Sequence, residues 1–113
     1  MTIKALLEDQ ECEVFVQWLD IKRLKFAHVP NETFTKSWKI KNRNKRIGVR
    51  PGIPDYLVIT PKGLLFVEMK RTKGSTTSPA QKEWIIQLNK KAGVQAEVCK
   101  GADEAIKFVS KFL

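Results

Sequence analysis

Residues 54–70 read PDYLVITPKGLLFVEMK. Two apolar runs, 56–60 and 64–68, are joined by Pro61, Lys62 and Gly63, the composition of a tight turn, so the segment is expected to fold as a β-hairpin. Pro54 and Asp55 open its first strand, and Glu68, Met69 and Lys70 close its second. Side chains two apart share a face of a strand, so Glu68 and Lys70 point to one side and Met69 to the other. A two-residue turn at Lys62 and Gly63 sets Asp55 opposite Lys70 on that same face. A three-residue turn sets it opposite Met69 and turns it away. The first register is the one expected.

Two carboxylates and an ammonium at one end of a hairpin suit phosphodiester hydrolysis. Acids there hold a divalent ion that polarises the phosphate and activates a water, while the amine orients that water or stabilises charge on the phosphoryl oxygens. The same residue types also make salt bridges at the ends of ordinary strands, so the motif alone is a weak signal.

On the N-terminal side of the hairpin, the periodicity predicts an amphipathic helix over 5–24. At 100° per residue, Leu7, Cys12, Val14, Phe15, Val16, Trp18 and Leu19 fall on one arc, and Asp9, Glu13, Gln17 and Asp20 on the opposite one. Glu8 and Glu11 sit inside the apolar arc. An inward carboxylate needs a partner, although acids in a first turn also complement the helix dipole. A short strand over 26–29 ends at Pro30, and a helix from 35 is stopped by Gly48.

On the C-terminal side, the polar stretch TKGSTTSP leads into Ser78, Pro79 and Gln81, the signature of a capping box with proline at the first helical position. That helix runs to Gly93; a strand over 94–99 and a helix over 103–113 complete the chain. The element order predicts an α/β fold, a mixed sheet with helices on both faces. With 113 residues and neither repeat nor linker, residues 1–113 are read as one domain.

The charge is uneven. Lys and Arg number 21 against 12 Asp and Glu, a net charge of +9 with a pI near 9.8. Between Glu32 and Asp55 there is no acid, while Lys36, Lys39, Lys41, Arg43, Lys45, Arg46 and Arg50 follow closely. Such a block is either a solvated surface or a grip for a polyanion, and Trp38 and Ile40 within it favour the second by tying it to the body. The longest apolar run, Leu64 to Val67, is far too short to span a bilayer, so no membrane partner is expected. The opening MTIKALLED reaches an acid before any signal-like apolar stretch, and an intracellular protein is expected. Two distant cysteines and one histidine give no zinc pattern, so a catalytic metal would be oxygen-bound magnesium or manganese.

Taken together, the helix carrying Glu8, HVPNE at 28–32, GVRPGIPD at 48–55, LLFVEMKR at 64–71 and SPAQKEW at 78–84 resemble the VRR-NUC (virus-type replication-repair nuclease) domain of the PD-(D/E)xK nuclease superfamily. The resemblance covers most of the chain. It implies a restriction-endonuclease-like α/β/α sandwich with core order αβββαβ and a C-terminal helix. It also implies that Asp55 and Glu68 are metal ligands together with the Met69 carbonyl, that Lys70 is the catalytic lysine, and that Glu8 is the first-helix acid, with Glu11 as the alternative one turn on. Gln81 matches a motif glutamine near the site and equally fits the capping box. Asn31 and Arg50 match positions near the site; a turn residue and a member of the basic block are the plainer readings of the two. Two positions depart from the family pattern, Cys12 where glutamine is usual and Glu32 where glycine is usual.

The resulting expectation is a magnesium-dependent DNA endonuclease, with manganese able to substitute, acting on branched DNA such as four-way (Holliday) junctions. A non-catalytic nucleic-acid-binding module or an accessory subunit of a replication or repair assembly is the alternative. Cutting both strands of a junction calls for two sites, hence a homodimer. The C-terminal helix, with Ile106, Phe108, Val109, Phe112 and Leu113, offers either its interface or a face that docks wholly on the sheet.

Overall fold

The computed structural model describes the backbone of residues 3–30 and 36–113, and the side chains of 9–30 and 36–113. Asn31 and the side chain of Glu8 lie outside the described residues. The elements are α1 (Ile3–Ile21), β1 (Lys25–His28), α2 (Trp38–Arg46), β2 (Tyr56–Thr60), β3 (Gly63–Lys70), α3 (Pro79–Asn89), β4 (Val94–Lys100) and α4 (Ala102–Ser110).

The four strands form one sheet in the order β1-β2-β3-β4. The first three are antiparallel, and β4 runs parallel to β3 because α3 supplies the crossover. The alternation along β2 and β3 places Tyr56, Val58, Leu65, Val67 and Met69 on one face, all buried. Phe15 and Leu19 of α1 and Ala105, Phe108 and Val109 of α4 close that face into the main core. Phe15 and Tyr56 meet edge to face at 5.4 Å between ring centroids. On the opposite face α3 half-buries Trp84, Ile85 and Leu88 against β4. Its last residue, Asn89, donates to the Ala96 carbonyl at 2.9 Å and accepts from the Ala96 N–H at 2.8 Å, satisfying backbone groups on the outer edge of β4. The result is the α/β/α sandwich expected from the sequence, with α1 and α4 on one side and α3 on the other.

Three expectations are corrected. First, the hairpin turn is Pro61-Lys62, with Thr60 paired to Gly63, so the register runs two residues short of the expected one. Continued past Tyr56↔Val67, it sets Asp55 level with Glu68 rather than Lys70. A two-residue slip preserves the face, which is why the clustering of Asp55, Glu68 and Lys70 survives the error. Second, α1 ends at Ile21 rather than near Leu24. Arg23 adopts φ 56 and the Leu24 N–H reaches back to the Leu19 carbonyl at 3.2 Å, a left-handed stop built on arginine where glycine is usual. Third, α4 ends at Ser110, and the apolar residues of the C-terminal segment are used internally. Phe108 and Val109 are buried, Ile106 and Phe112 pack against the core, and Leu113 alone of the five is exposed, at 39%. The terminal helix therefore presents no broad apolar face for a second chain.

Candidate active site

The loop before β2 is pinned to the start of α3. Gly52 has φ +93, and a Cβ there would lie 2.6 Å from the Ala80 carbonyl carbon, so only glycine allows this approach. The Trp84 indole N–H donates to the Pro51 carbonyl at 3.0 Å, and Pro54 is fully buried. Asp55 leaves this docked loop just before the sheet begins. Its Oδ2 accepts from the Met69 N–H at 2.8 Å, so a side chain continues the hydrogen bonding of β3 beyond the end of β2.

Glu68, one residue earlier on β3, is 3% exposed. Its Oε2 accepts from the Gln81 amide at 3.3 Å and lies 3.8 Å from the Lys70 ammonium. The Ser78 hydroxyl accepts from the Gln81 N–H at 3.2 Å, and the Gln81 side-chain oxygen accepts from the Ser78 N–H at 2.9 Å. The two sequence readings of Gln81 are thus compatible: its oxygen caps α3 while its nitrogen reaches Glu68. Asp55, Glu68, Lys70 and Gln81 come from three segments to one end of the sheet.

Glu11 goes elsewhere. Its Oε2 accepts from the Ala102 N–H, capping α4, whose N-terminal Gly101 offers no side chain for the purpose. Among the described acids of α1, Asp9 and Glu13 share a cavity wall with Asp55. With Cys12, His28 and Tyr56 they line a cavity of about 360 Å³ that also opens on Asp55. The helical wheel placed Asp9 and Glu13 on the solvent side, and both are exposed, but that side of α1 is also the rim of this cavity. The His28 ring lies 5.1 Å from Tyr56. Both residues sit where β1 and β2 pair, a neighbourhood no local motif announces. Burial raises the Tyr56 hydroxyl well above its ordinary range, with the Cys12 hydrogen bond adding to it and the charges of Asp55 and Asp9 acting in the same direction. Cys99, inside the core, is pushed up to about 12, chiefly by burial, and so keeps its proton at neutral pH. Among the described residues, no three His, Cys, Asp or Glu side chains converge as a self-sufficient metal cage.

The cationic segment forms α2. Ser37 caps it, accepting from the Ile40 N–H at 3.4 Å, and Arg43, Lys45 and Arg46 fall in the last turn, where cations complement the helix dipole. No residue of α2 is buried. Lys36, Lys39, Lys41, Arg43, Lys45 and Arg46 are all exposed. Arg50, also exposed, folds back with Nη1 3.3 Å from the carbonyls of Lys45 and Val49. Among the described residues, no helix is long and apolar enough to cross a membrane.

Comparison with known proteins places the fold. The sequence profile of the VRR-NUC domain matches residues 3–103. A solved structure described as a VRR-NUC domain protein superposes with a TM-score of 0.74 at 30% identity, covering 95% of this chain and 88% of that one. No curated protein matches the sequence. The profile takes in every element from α1 to the start of α4, and the superposition extends the agreement to the overall fold: the chain belongs to the VRR-NUC family and is a nuclease-type domain.

Proposed function

We propose that this domain is a magnesium-dependent DNA endonuclease that hydrolyses phosphodiester bonds in branched DNA such as four-way junctions, with manganese able to replace magnesium. The observation that carries the reading is the gathering of Asp55, Glu68, Lys70 and Gln81 at one end of the sheet. The donor set fits the ion. Asp55 and Glu68 are hard oxygen ligands, and magnesium is commonly held by one or two carboxylates, its other positions going to carbonyl, water and phosphate oxygens. The Met69 carbonyl and Glu8 are the further ligands in this assignment, and the engagement of Glu11 with α4 favours Glu8 as the first-helix acid. When bound, magnesium supplies Lewis-acid polarisation of the phosphate and a lowered pKa for a coordinated water.

The chain's own residues do the rest. The Met69 N–H fixes one oxygen of Asp55, and Gln81 and Lys70 hold Oε2 of Glu68, so both carboxylates are set before substrate arrives. Lys70, paired with Glu68 at the end of the sheet, sets its ammonium where the attacking water or a phosphoryl oxygen would meet it. The lysines and arginines of α2 draw in the phosphate backbone, and Asn31 and Arg50 are assigned to the same grip.

The basic segment by itself would equally serve a binding module. Two acids beside a polyanion argue against that alternative, since carboxylates without a cation repel phosphate. A homodimer remains the arrangement proposed for paired cuts, with an interface other than the inward-facing side of α4. The test is a panel of labelled single-stranded, duplex, flap and four-way-junction DNAs with magnesium, manganese, calcium or EDTA. Cleavage of the branched species with magnesium or manganese supports the reading. Binding without cleavage under every condition assigns the chain to the non-catalytic alternative, and a strict monomer by sedimentation equilibrium, with and without junction DNA, rejects the dimer alone.

A further inference from the structure

Trp38 and Ile40, expected to tie the basic segment to the body, are both exposed, and Trp38, at the first turn of α2, is 77% exposed. A tryptophan in a core covers some ~150–250 Å² of surface, so leaving one in water forgoes a large apolar gain. The other two tryptophans are half-buried: Trp84 is hydrogen-bonded to Pro51, and Trp18 packs against the core. Helical spacing explains what surrounds Trp38. Positions i+3, i+4 and i+7 from it are Lys41, Asn42 and Lys45, so the indole heads a polar, cationic stripe. Ile40 and Asn44 lie on the other side, and Asn44 is the one half-buried residue of the helix, marking the side nearest the body. The Lys41 ammonium stands 5.8 Å from the centroid of the Trp38 ring.

We infer that Trp38 is a stacking platform for an unpaired nucleobase, and that it biases this domain toward DNA with unstacked bases. The inference rests on the DNA-cleaving reading above and narrows its substrate class. A partner for this stripe must offer a flat π-face together with negative charge, which is what a nucleotide offers: a base for the indole and flanking phosphates for Lys41 and Lys45. The acid-free run from 33 to 54 removes any local repulsion of those phosphates. An intact duplex hides its π-faces inside the stack and shows only base edges and backbone. Flaps, single strands and opened branch points expose them. The lysines therefore serve any DNA, and the indole only DNA that is locally open.

The experiment places the fluorescent base 2-aminopurine at the unpaired position of a flap, and at a paired position of a matched duplex, and titrates each with the full chain in EDTA. Stacking on Trp38 quenches the flap probe and not the duplex probe. Trp38→Ala removes the quenching and lowers the flap-to-duplex affinity ratio by about 5- to 150-fold, the range for losing one base–aromatic stack. Trp38→Phe keeps much of both, because it retains a π-face, whereas Trp38→Leu behaves like Trp38→Ala. Equal weakening of flap and duplex, full rescue by leucine, or unchanged quenching in Trp38→Ala each overturn the inference. The same DNAs are incubated with wild-type chain and magnesium. Cleavage without quenching defeats the stacking and leaves the nuclease, and quenching without cleavage does the reverse.

Discussion

At the end of the β2–β3 hairpin each carboxylate is held by a named donor, Asp55 by the Met69 N–H and Glu68 by Gln81 and Lys70, and Glu68 is nearly sealed from water. Along α2, a few turns of chain earlier, every cation is exposed and no residue is buried. The two regions meet different physical demands. Placing reacting groups requires positions fixed by neighbours, because small displacements cost orders of magnitude in rate. Gripping a polyanion requires only sign and density of charge, which mobile side chains supply as well as rigid ones. Substitutions at the hairpin should therefore change turnover at nearly constant affinity, and substitutions on α2 should change affinity at nearly constant stability.

The sharpest break between the regions is expected at Glu68. Glu68→Gln keeps the shape and an oxygen for Gln81 but removes the charge, and cleavage should fall on the order of 10³-fold or more, while gel-shift affinity holds or rises as repulsion of phosphate is relieved. Lys70→Ala should cost roughly 10²- to 10³-fold if its ammonium meets developing charge. Wild-type cutting by Glu68→Gln would sink the assignment of the hairpin. Next in size, changing Lys41, Arg43, Lys45 and Arg46 together to glutamine should weaken binding to all sequences and flatten its log–log salt dependence by about 0.9 for each phosphate that the helix no longer neutralises. The melting temperature should barely move. An unchanged salt slope would return α2 to the role of a solvated surface.

The parts of this contrast that could be read in the sequence are those carried by local pattern. The hairpin strands, the capping box at Ser78 and the acid-free basic run each sit within a few residues, and each appears where expected. What escaped depends on contacts between distant segments. The register missed by two because Pro61-Lys62, rather than Lys62-Gly63, makes the turn, and Gly63 pairs with Thr60 while its Cα faces the Gly93 carbonyl of the crossover loop. The role of Glu11 depends on Ala102, 91 positions away, and no helical wheel encodes that. Val14, placed on the inward arc by periodicity, is exposed because the buried arc of α1 centres on Phe15 and Leu19. The dual use of Gln81 was half legible: the capping spacing is local, but its contact with Glu68 exists only once α3 packs beside the end of β3.

Gly52 joins the site to its scaffold and offers a smaller, distinct perturbation. Gly52→Ala forces a Cβ into the Ala80 backbone at a φ that L side chains rarely adopt. A cost of about 1–3 kcal/mol is expected, or on the order of 10 °C in melting temperature. Because the displaced loop carries Asp55 and the opposing turn carries Gln81, cleavage should fall further than the loss of folded protein explains. A stable, fully active Gly52→Ala would show that the loop tolerates displacement and that the site is less rigid than the hairpin geometry requires.

The smallest effect falls on Glu11, and comparing it with the other acids of α1 separates a structural carboxylate from a functional one. Glu11 accepts from the first N–H of α4, so Glu11→Ala removes a helix cap and should destabilise by about 1 kcal/mol, with Glu11→Gln closer to neutral because an amide oxygen still accepts. Either variant should cut DNA at close to the wild-type rate once the folded fraction is matched. Glu13 is exposed on the cavity rim and touches neither α4 nor the cluster around Glu68 through any hydrogen bond among the described residues, so Glu13→Gln serves as the charge control. Glu8→Gln should impair cleavage well beyond either, as the remaining first-helix acid in the metal assignment. The measurement is melting temperature beside magnesium-dependent cleavage for all four variants. If Glu11→Gln abolishes cleavage with an unchanged melting temperature, the capping bond is incidental, Glu11 belongs to the metal site, and the boundary between the hairpin centre and its supporting scaffold must be redrawn to include the third turn of α1.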